Sequence, residues 1–186
     1  MNEQLNLSLS RLFREFQTHN PKPVTQWDAD WPSPCEIGTP FASPGSTEQK
    51  IQWQPVARHH ADGDFAGLEN AIEHEVHPDI KTYFGKYWAD NISLQAPDGP
   101  CSILFIWSPQ DLDRLIENLI GHAFACQVNK TPFSVFFACT EDPDDYYLTV
   151  NNDTGVIQLE TPAKPPIREI APNLATFLDS LSFTTK

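Results

Sequence analysis

Apolar residues recur three or four positions apart in four stretches of the chain, the spacing of one face of an α-helix. The stretches are residues 2–18, residues 65–76, a long one after Trp107, and a last one at 174–181. A further helical turn is expected at 80–84, where apolar residues follow a proline. The pattern therefore predicts four helices and one additional turn.

The helix after Trp107 carries a complete start signal. Ser108 can cap the helix, Pro109 suits its first turn, and Asp111 stands where a capping-box acid reaches back. His122 follows a glycine, and we place it near the last turn, where the helix dipole favours a histidine. The predicted buried face consists of Leu112, Leu115, Ile116, Leu119, Ile120 and Ala123.

Short apolar runs typical of β-strands occupy much of the second half of the chain. They lie at 91–95, 101–107, 134–139, 146–150 and 156–159. Turn-forming residues at 97–100 and 151–155 join two pairs of these strands. Helices before, within and after a run of mostly hairpin-linked strands predict an α+β fold, with helices packed on a mixed, mostly antiparallel sheet.

A chain of 186 residues is expected to form a single domain over 1–186. Residues 20–56 stand out because their many prolines disfavour long helices and central strands. Disordered linkers are poor in aromatic residues, so we predict an irregular segment that wraps the surface and is anchored by its rings. A short edge strand is expected at 52–54. The embedded rings are Trp27, Trp31, Phe41 and Trp53.

The chain is strongly acidic, with a net charge of −13 and an isoelectric point near 4.6. Nucleic acids and anionic lipids both require clustered cations, so neither is an expected partner. A basic protein surface is the natural partner, although acidity for solubility alone is the alternative. Three windows lack lysine and arginine altogether, at 59–80, 87–113 and 131–163.

Two pairs of acids within these helices indicate a docking face. Glu69 and Glu73 lie four residues apart without a cation between them, an arrangement that costs about 0.2–0.5 kcal/mol. Asp113 and Glu117 have the same spacing beside the predicted core face. An acidic but merely solvated helix face is the alternative. The predicted partner-binding residues are Glu69, Glu73, Asp79, Asp111, Asp113 and Glu117.

No motif in the sequence indicates catalysis, a metal or a cofactor. His74 and His77 lie three residues apart, whereas the zinc protease motif needs four on one helix. The acidic run at 142–145 lacks the glycine and glutamate of a calcium loop, so we predict a polar loop. A hydrolase with an unrecognised carboxylate site is the alternative, and it needs a deep pocket that raises one pKa. Free thiols are expected at Cys35, Cys101, Cys126 and Cys139.

Segment 107–122 begins Trp-Ser, continues with Asp and Arg, and ends Glu-Asn-Leu-Ile-Gly-His. Segments 32–35, 53–55 and 173–178 read Pro-Ser-Pro-Cys, Trp-Gln-Pro and Asn-Leu-Ala-Thr-Phe-Leu. Together, and in this order along the chain, these segments give a resemblance to the Syd family of SecY-interacting bacterial proteins. It implies a small cytoplasmic protein that docks on the cytosolic loops of the SecY channel and regulates or quality-controls the translocon. It also implies a wider superfamily of α+β binding domains.

Neither a signal peptide nor a membrane-spanning stretch is visible in the sequence. We therefore expect a cytoplasmic protein that is peripheral on the cytoplasmic face of the bacterial inner membrane, held there only through SecY. The alternative function is that of an immunity-type protein that neutralises a basic toxin, as other members of the superfamily do.

Overall fold

The computed structural model describes residues 3–58, 64–140, 146–162 and 164–183. Its helices are α1 (Glu3–His19), α2 (Ala66–Ile72), α3 (Pro78–Lys86), α4 (Pro109–Asn129) and α5 (Leu174–Ser180). Its strands are β1 (Val24–Gln26), β2 (Glu36–Ala42), β3 (Gln49–Trp53), β4 (Val56–Ala57), β5 (Tyr87–Trp88), β6 (Ile92–Ala96), β7 (Gly99–Ile103), β8 (Ser134–Thr140), β9 (Tyr147–Asn151), β10 (Ile157–Glu160) and β11 (Arg168–Ala171).

Strands β6 to β11 form one six-stranded antiparallel sheet in chain order. The register pairs Ile92 with Ile103 in the first hairpin and Val135 with Val150 near the centre. Helix α4 is inserted between β7 and β8, and yet these two strands still pair with each other. Together with the five helices, this arrangement confirms the predicted α+β fold.

Both faces of the sheet are covered, because neighbouring side chains on a strand point to opposite sides. On one side, Phe137 packs edge-on against Phe177 of α5 and Tyr83 of α3, with ring centroids 5.4 and 5.7 Å apart. On the other side, Phe136 lines a groove together with Leu115 of α4. Phe84 of α3 lines the same groove as Leu115.

Helix α1 buries a continuous apolar stripe against the same core. The buried stripe includes Leu5, Leu9, Leu12, Phe13 and Phe16. The ring of Phe13 lies 4.4 Å from that of Tyr87 and 4.8 Å from that of Phe105, measured between centroids. The predicted helix at 2–18 is thus confirmed to within one residue at each described end.

The proline-rich segment is more regular than predicted. It contains a three-stranded antiparallel sheet in the order β1-β3-β2, and β4 pairs with β5. The edge strand expected at 52–54 is wrong, since its first two residues belong to β3, the central strand. Pro23 and Pro40 are compatible with this sheet. The Pro23 carbonyl accepts a hydrogen bond from the Trp53 amide, and Pro40 lies at an irregularity in the β2–β3 register.

Only part of the predicted aromatic anchoring is present in that segment. Trp53 is 3% exposed and its ring stacks on that of Phe16 with centroids 5.2 Å apart, whereas Phe41 is 42% exposed. Trp27 and Trp31 are half-buried. The rings therefore hold the segment mainly through Trp53 and, as described below, through Trp31.

Several predicted element ends differ from the structure. Helix α2, predicted to reach residue 76, ends at Ile72 because Glu73 adopts a left-handed conformation with φ of 53°. Helix α3 is longer than the single turn predicted at 80–84. Helix α4 continues past Gly121 to Asn129, so the placement of His122 in a last turn is wrong. A Cβ at Gly121 would meet nothing within 4 Å, and glycine is tolerated inside a helix at a cost of about 1 kcal/mol. Strand β11 was not predicted.

Candidate functional site

Helix α4 carries three of the six predicted docking acids, but its geometry divides them between two flanks. Successive residues of an α-helix turn by about 100° around the axis. Asp111 and Arg114 therefore share one flank with Asn118, and all three line a groove beside Phe136. Asp113 and Glu117 stand on the other flank and are exposed.

Asp111 is engaged at the start of α4. Its carboxylate accepts the indole N–H of Trp31 at 3.1 Å and the backbone amide of Trp107 at 3.2 Å. Its own amide donates to Ser108 Oγ at 3.3 Å, which is the predicted cap. Asp111 thus ties the proline-rich segment to the first turn of α4.

Asp113 and Glu117 lie beside helix α2. Ile116, three residues after Asp113, faces Gly67 of α2, where a Cβ would come within 3.9 Å of Ile116 Cγ2. No ion pair of the described residues involves either acid. Their charges are therefore open to solvent at the α2–α4 contact.

The three acids on and after α2 have three different environments. Glu69 pairs with Lys81 and accepts the Val76 amide at 2.9 Å. Partial burial alone would raise the pKa of Glu69, but these hydrogen bonds and the Lys81 charge hold it below its ordinary value of 4.5. Glu73 is exposed at the end of α2, and Asp79 is 5% exposed in the first turn of α3.

The six predicted residues therefore do not form one surface. Glu73, Asp113 and Glu117 are exposed on two helices that pack together. Glu69 and Asp111 hold local structure, and Asp79 is buried. Only the exposed trio presents its charge at the surface.

A groove that the sequence analysis missed lies between the proline-rich segment and two residues distant in sequence, Asp90 and Trp107. It encloses about 460 Å³, and six of its lining residues define what we call the tryptophan groove. A second depression of about 280 Å³ continues it along α4, because Asp90 and Trp107 line both. The defining residues are Trp27, Asp28, Trp31, Glu36, Asp90 and Trp107.

Each carboxylate of the tryptophan groove is oriented by a nearby backbone amide. Asp28 accepts the Asp30 amide at 2.9 Å, Glu36 the Ser33 amide at 3.0 Å, and Asp90 the Asn91 amide at 2.8 Å. Among the ion pairs of the described residues, none involves these three acids. The sequence signal for this site is the run Trp-Asp-Ala-Asp-Trp at 27–31, of which only the tryptophans are assigned a role above, as anchors.

The two histidines considered as metal ligands have other partners in the structure. His74 Nε2 lies 3.2 Å from Asp153 Oδ1, and His77 Nδ1 accepts the Asp79 amide at 3.2 Å. Within the described ranges, no three His, Cys, Asp or Glu side chains are grouped so that they could hold a metal ion. No described helix has the length and apolar character needed to cross a membrane. The acidic run at 142–145 lies outside the described residues.

Comparison with known proteins identifies the family. Residues 3–182 match the family described as Syd protein (SUKH-2). Protein Syd of Pseudoalteromonas atlantica is 36% identical over 185 residues, which cover 100% of this chain and 97% of that protein. Protein Syd of Colwellia psychrerythraea is 34% identical over 186 residues, with 96% and 90% covered. Protein Syd of Aeromonas salmonicida is 31% identical over 185 residues, with 97% of each covered. The chain therefore belongs to the Syd protein family.

Proposed function

We propose that this protein docks on the basic cytosolic loops of the SecY translocation channel and regulates or quality-controls the translocon. Family membership and the net charge of −13 support the proposal. The observation that carries it is the exposed trio Glu73, Asp113 and Glu117 on the packed helices α2 and α4, outside any ion pair of the described residues. Exposed charges of this kind accelerate encounter with a partner of opposite sign and exclude wrong partners.

The proposed role is binding rather than catalysis, and it requires no cofactor. In this proposal the whole chain acts as one unit, because the family match spans residues 3–182 and the buried apolar residues form one continuous cluster. The protein would reach the cytoplasmic face of the membrane only through SecY, since its acidic surface is repelled by anionic lipid.

The test is binding of the purified protein to SecY-containing membranes and to membranes that lack SecY, at low and high salt. Reversal of the exposed trio, E73K/D113K/E117K, is expected to weaken SecY-dependent binding about tenfold or more at low salt. The matched control E15K/E48K/E169K changes the net charge equally at exposed positions elsewhere, and it should bind almost as wild type does.

Two outcomes would contradict the proposal. Equal weakening by both triple variants would show that only net charge matters and would remove the α2–α4 face from the interface. Binding that does not depend on SecY at either salt concentration would remove SecY as the partner. The immunity-type function would then be the one to examine.

A further inference from the structure

A cavity of about 750 Å³ lies between helix α5, the β6–β7 turn and strands β9 to β11, and it is larger than either depression beside α4. Its lining, within the described part of the chain, includes none of the six predicted docking acids. We propose that the cavity binds a small amphipathic carboxylate of the fatty-acid class, with the alkyl chain inside and the carboxylate on Arg168 at the mouth. This site goes beyond the docking function and does not depend on SecY.

The floor of the cavity is an apolar row across three neighbouring strands. Leu148 on β9 pairs with Leu159 on β10, and Leu159 pairs with Arg168 on β11. Residues directly opposite each other in antiparallel strands point to the same face of the sheet. All three line the cavity, together with Ile170 two residues after Arg168. The row therefore changes from apolar to cationic where the sheet ends, at its edge strand β11.

Rigid segments border the cavity. Pro97 lies in the turn between β6 and β7, Pro100 at the start of β7, and Pro172 just before α5. A proline ring fixes the φ angle, so these segments have little freedom to collapse into the space. On the α5 side the wall includes Phe177, which is 1% exposed and packs edge-on against Phe137. A cavity that is formed in advance binds its ligand at a lower entropic cost.

Two hydroxyl groups of the lining are already bonded to backbone carbonyls. Ser180 Oγ donates to the Phe177 carbonyl at 2.7 Å, and Thr140 Oγ1 donates to the Tyr146 carbonyl at 2.9 Å. Neither hydroxyl needs a ligand to accept its proton. Because burying a polar group without a hydrogen bond is costly, the interior favours an alkyl chain over a polar ligand.

The head group of the ligand is indicated by the charge at the mouth. Among the described lining residues, Arg168 is the one cation. Its Nη2 donates to Asp98 at 2.9 Å, while the side chains of Arg168 and Asp98 remain 49% and 59% exposed. An exposed pair of this kind contributes little stability, so a second carboxylate can share the guanidinium or take the place of Asp98. A guanidinium binds a carboxylate through two parallel hydrogen bonds, which makes a carboxylate the matching head group.

The test titrates the full chain with decanoate and with decanol, both below the concentrations at which they aggregate. In NMR spectra the methyl signals of Leu148, Leu159 and Ile170 should shift, whereas those of Leu115 and Ile120 on α4 should not. Each methylene added between octanoate and decanoate should tighten binding about fourfold, because its burial removes apolar surface from water. Titration that leaves the three cavity residues unshifted would overturn the proposal.

Two charge variants should change the affinity for decanoate in opposite directions. Arg168→Gln removes the partner of the carboxylate and should weaken decanoate binding about tenfold. Asp98→Asn removes the competing carboxylate and should strengthen binding about threefold. Neither variant should change the binding of decanol, which carries no charge. The matched control Arg14→Gln removes the same charge from an exposed position on α1 and should bind decanoate as wild type does. Equal weakening by the two arginine variants would overturn the carboxylate assignment.

A side chain that fills the cavity distinguishes binding there from adsorption elsewhere. Thr176 lines the cavity from an exposed position on α5, so Thr176→Trp should occupy the space without disturbing the buried core. It should abolish binding of both decanoate and decanol. Thr18→Trp, at an exposed position on α1, is the matched control and should leave binding unchanged. Well-dispersed spectra will show that both variants are folded. Undiminished binding by Thr176→Trp would overturn the proposal, whatever the result with SecY membranes.

Discussion

Single residues fasten the loop after α2 to the turn between β9 and β10. The side-chain oxygen of Asn152 accepts the His77 amide at 3.0 Å, and its nitrogen donates to the Glu75 carbonyl at 2.9 Å. Asn152 is 3% exposed, so both of its polar atoms need these partners. Gly155, in the same turn, lies directly against the His77 ring. Each of these contacts depends on a single residue. We therefore expect single substitutions here to have large effects on stability.

Gly155→Ala is expected to destabilise the protein by about 2–4 kcal/mol, through left-handed strain and a steric clash together. Gly155 has φ of +73°, and a Cβ there would lie 2.6 Å from His77 Cε1. The ring cannot move freely because its Nδ1 accepts the Asp79 amide. Gly45→Ala is the control, with φ of +83° and open space, and should cost about 1 kcal/mol. Urea unfolding measures both, and equal losses would contradict the packing argument.

Asp111→Ala is expected to lower the free energy of unfolding by about 1–3 kcal/mol, because two donors lose their acceptor. These donors are the Trp31 indole and the Trp107 amide. Asp113→Ala, two residues along the same helix at an exposed position, should change stability by no more than about 0.5 kcal/mol. Thermal unfolding of both variants provides the comparison. An Asp111→Ala protein as stable as wild type would show that the tie to the proline-rich segment is not needed.

At the scale of elements, helices α2 and α3 are joined through one carboxylate. Glu69 on α2 pairs with Lys81 on α3 and also accepts the amide of Val76 in the loop between them. The left-handed Glu73 lets the chain turn there, and its amide donates to the Glu69 carbonyl. Helix α2 is only seven residues long, so its position depends on such contacts more than on its own helical stability.

This junction should depend on pH. The pKa of Glu69 is lowered in the folded protein, so its stabilisation is present above the ordinary value of 4.5 and is lost as the pH falls through the lower folded value. Glu69→Gln should therefore lose less stability than wild type between about pH 6 and about pH 3. Lys81→Met should reduce the same pH dependence by removing the pairing charge. Urea midpoints across this range test the expectation, and identical profiles for all three proteins would refute it.

For the molecule as a whole, one core cluster joins all five helices to the sheet. Cys35 and Cys101 lie within it and are at most 2% exposed, and Cys126 on α4 is also buried, with 6% exposed. Cys139, on β8, is exposed. All four cysteines are free, so thiol reactivity reports how much of the core opens.

In the folded protein, a disulfide reagent such as dithionitrobenzoate should modify Cys139 quickly and the other three thiols slowly. The high pKa of Cys35, about 11 because of burial, further slows its reaction. Cys139→Ser should abolish the fast phase, and denaturant should expose the remaining thiols. Rapid reaction of more than one thiol in folded wild-type protein would show that the core opens more readily than its burial implies.

Much of the fold could be predicted because its signals are local. The apolar stripe of α1, the Ser108 cap and the turn before β7 each depend on residues close together in sequence. The end of α4 is harder to predict from the sequence. A glycine such as Gly121 is a common stop signal, whereas the residue that caps the helix is Lys130 in a left-handed conformation. The three-stranded sheet was missed because short strands with prolines at irregular positions give a weak pattern.

The sequence by itself determined the acidity, the helices that carry the candidate acids and the family resemblance. Only the tertiary structure decided which acids remain at the surface. Asp111 and Asp113 are two residues apart and look alike in sequence, yet one accepts two hydrogen bonds and the other is exposed. The tryptophan groove likewise exists only because β1 and the loop after it meet Asp90 and Trp107, which are distant in sequence. Periodicity fixes which residues share a helix face, whereas the packing of distant segments fixes what each face meets.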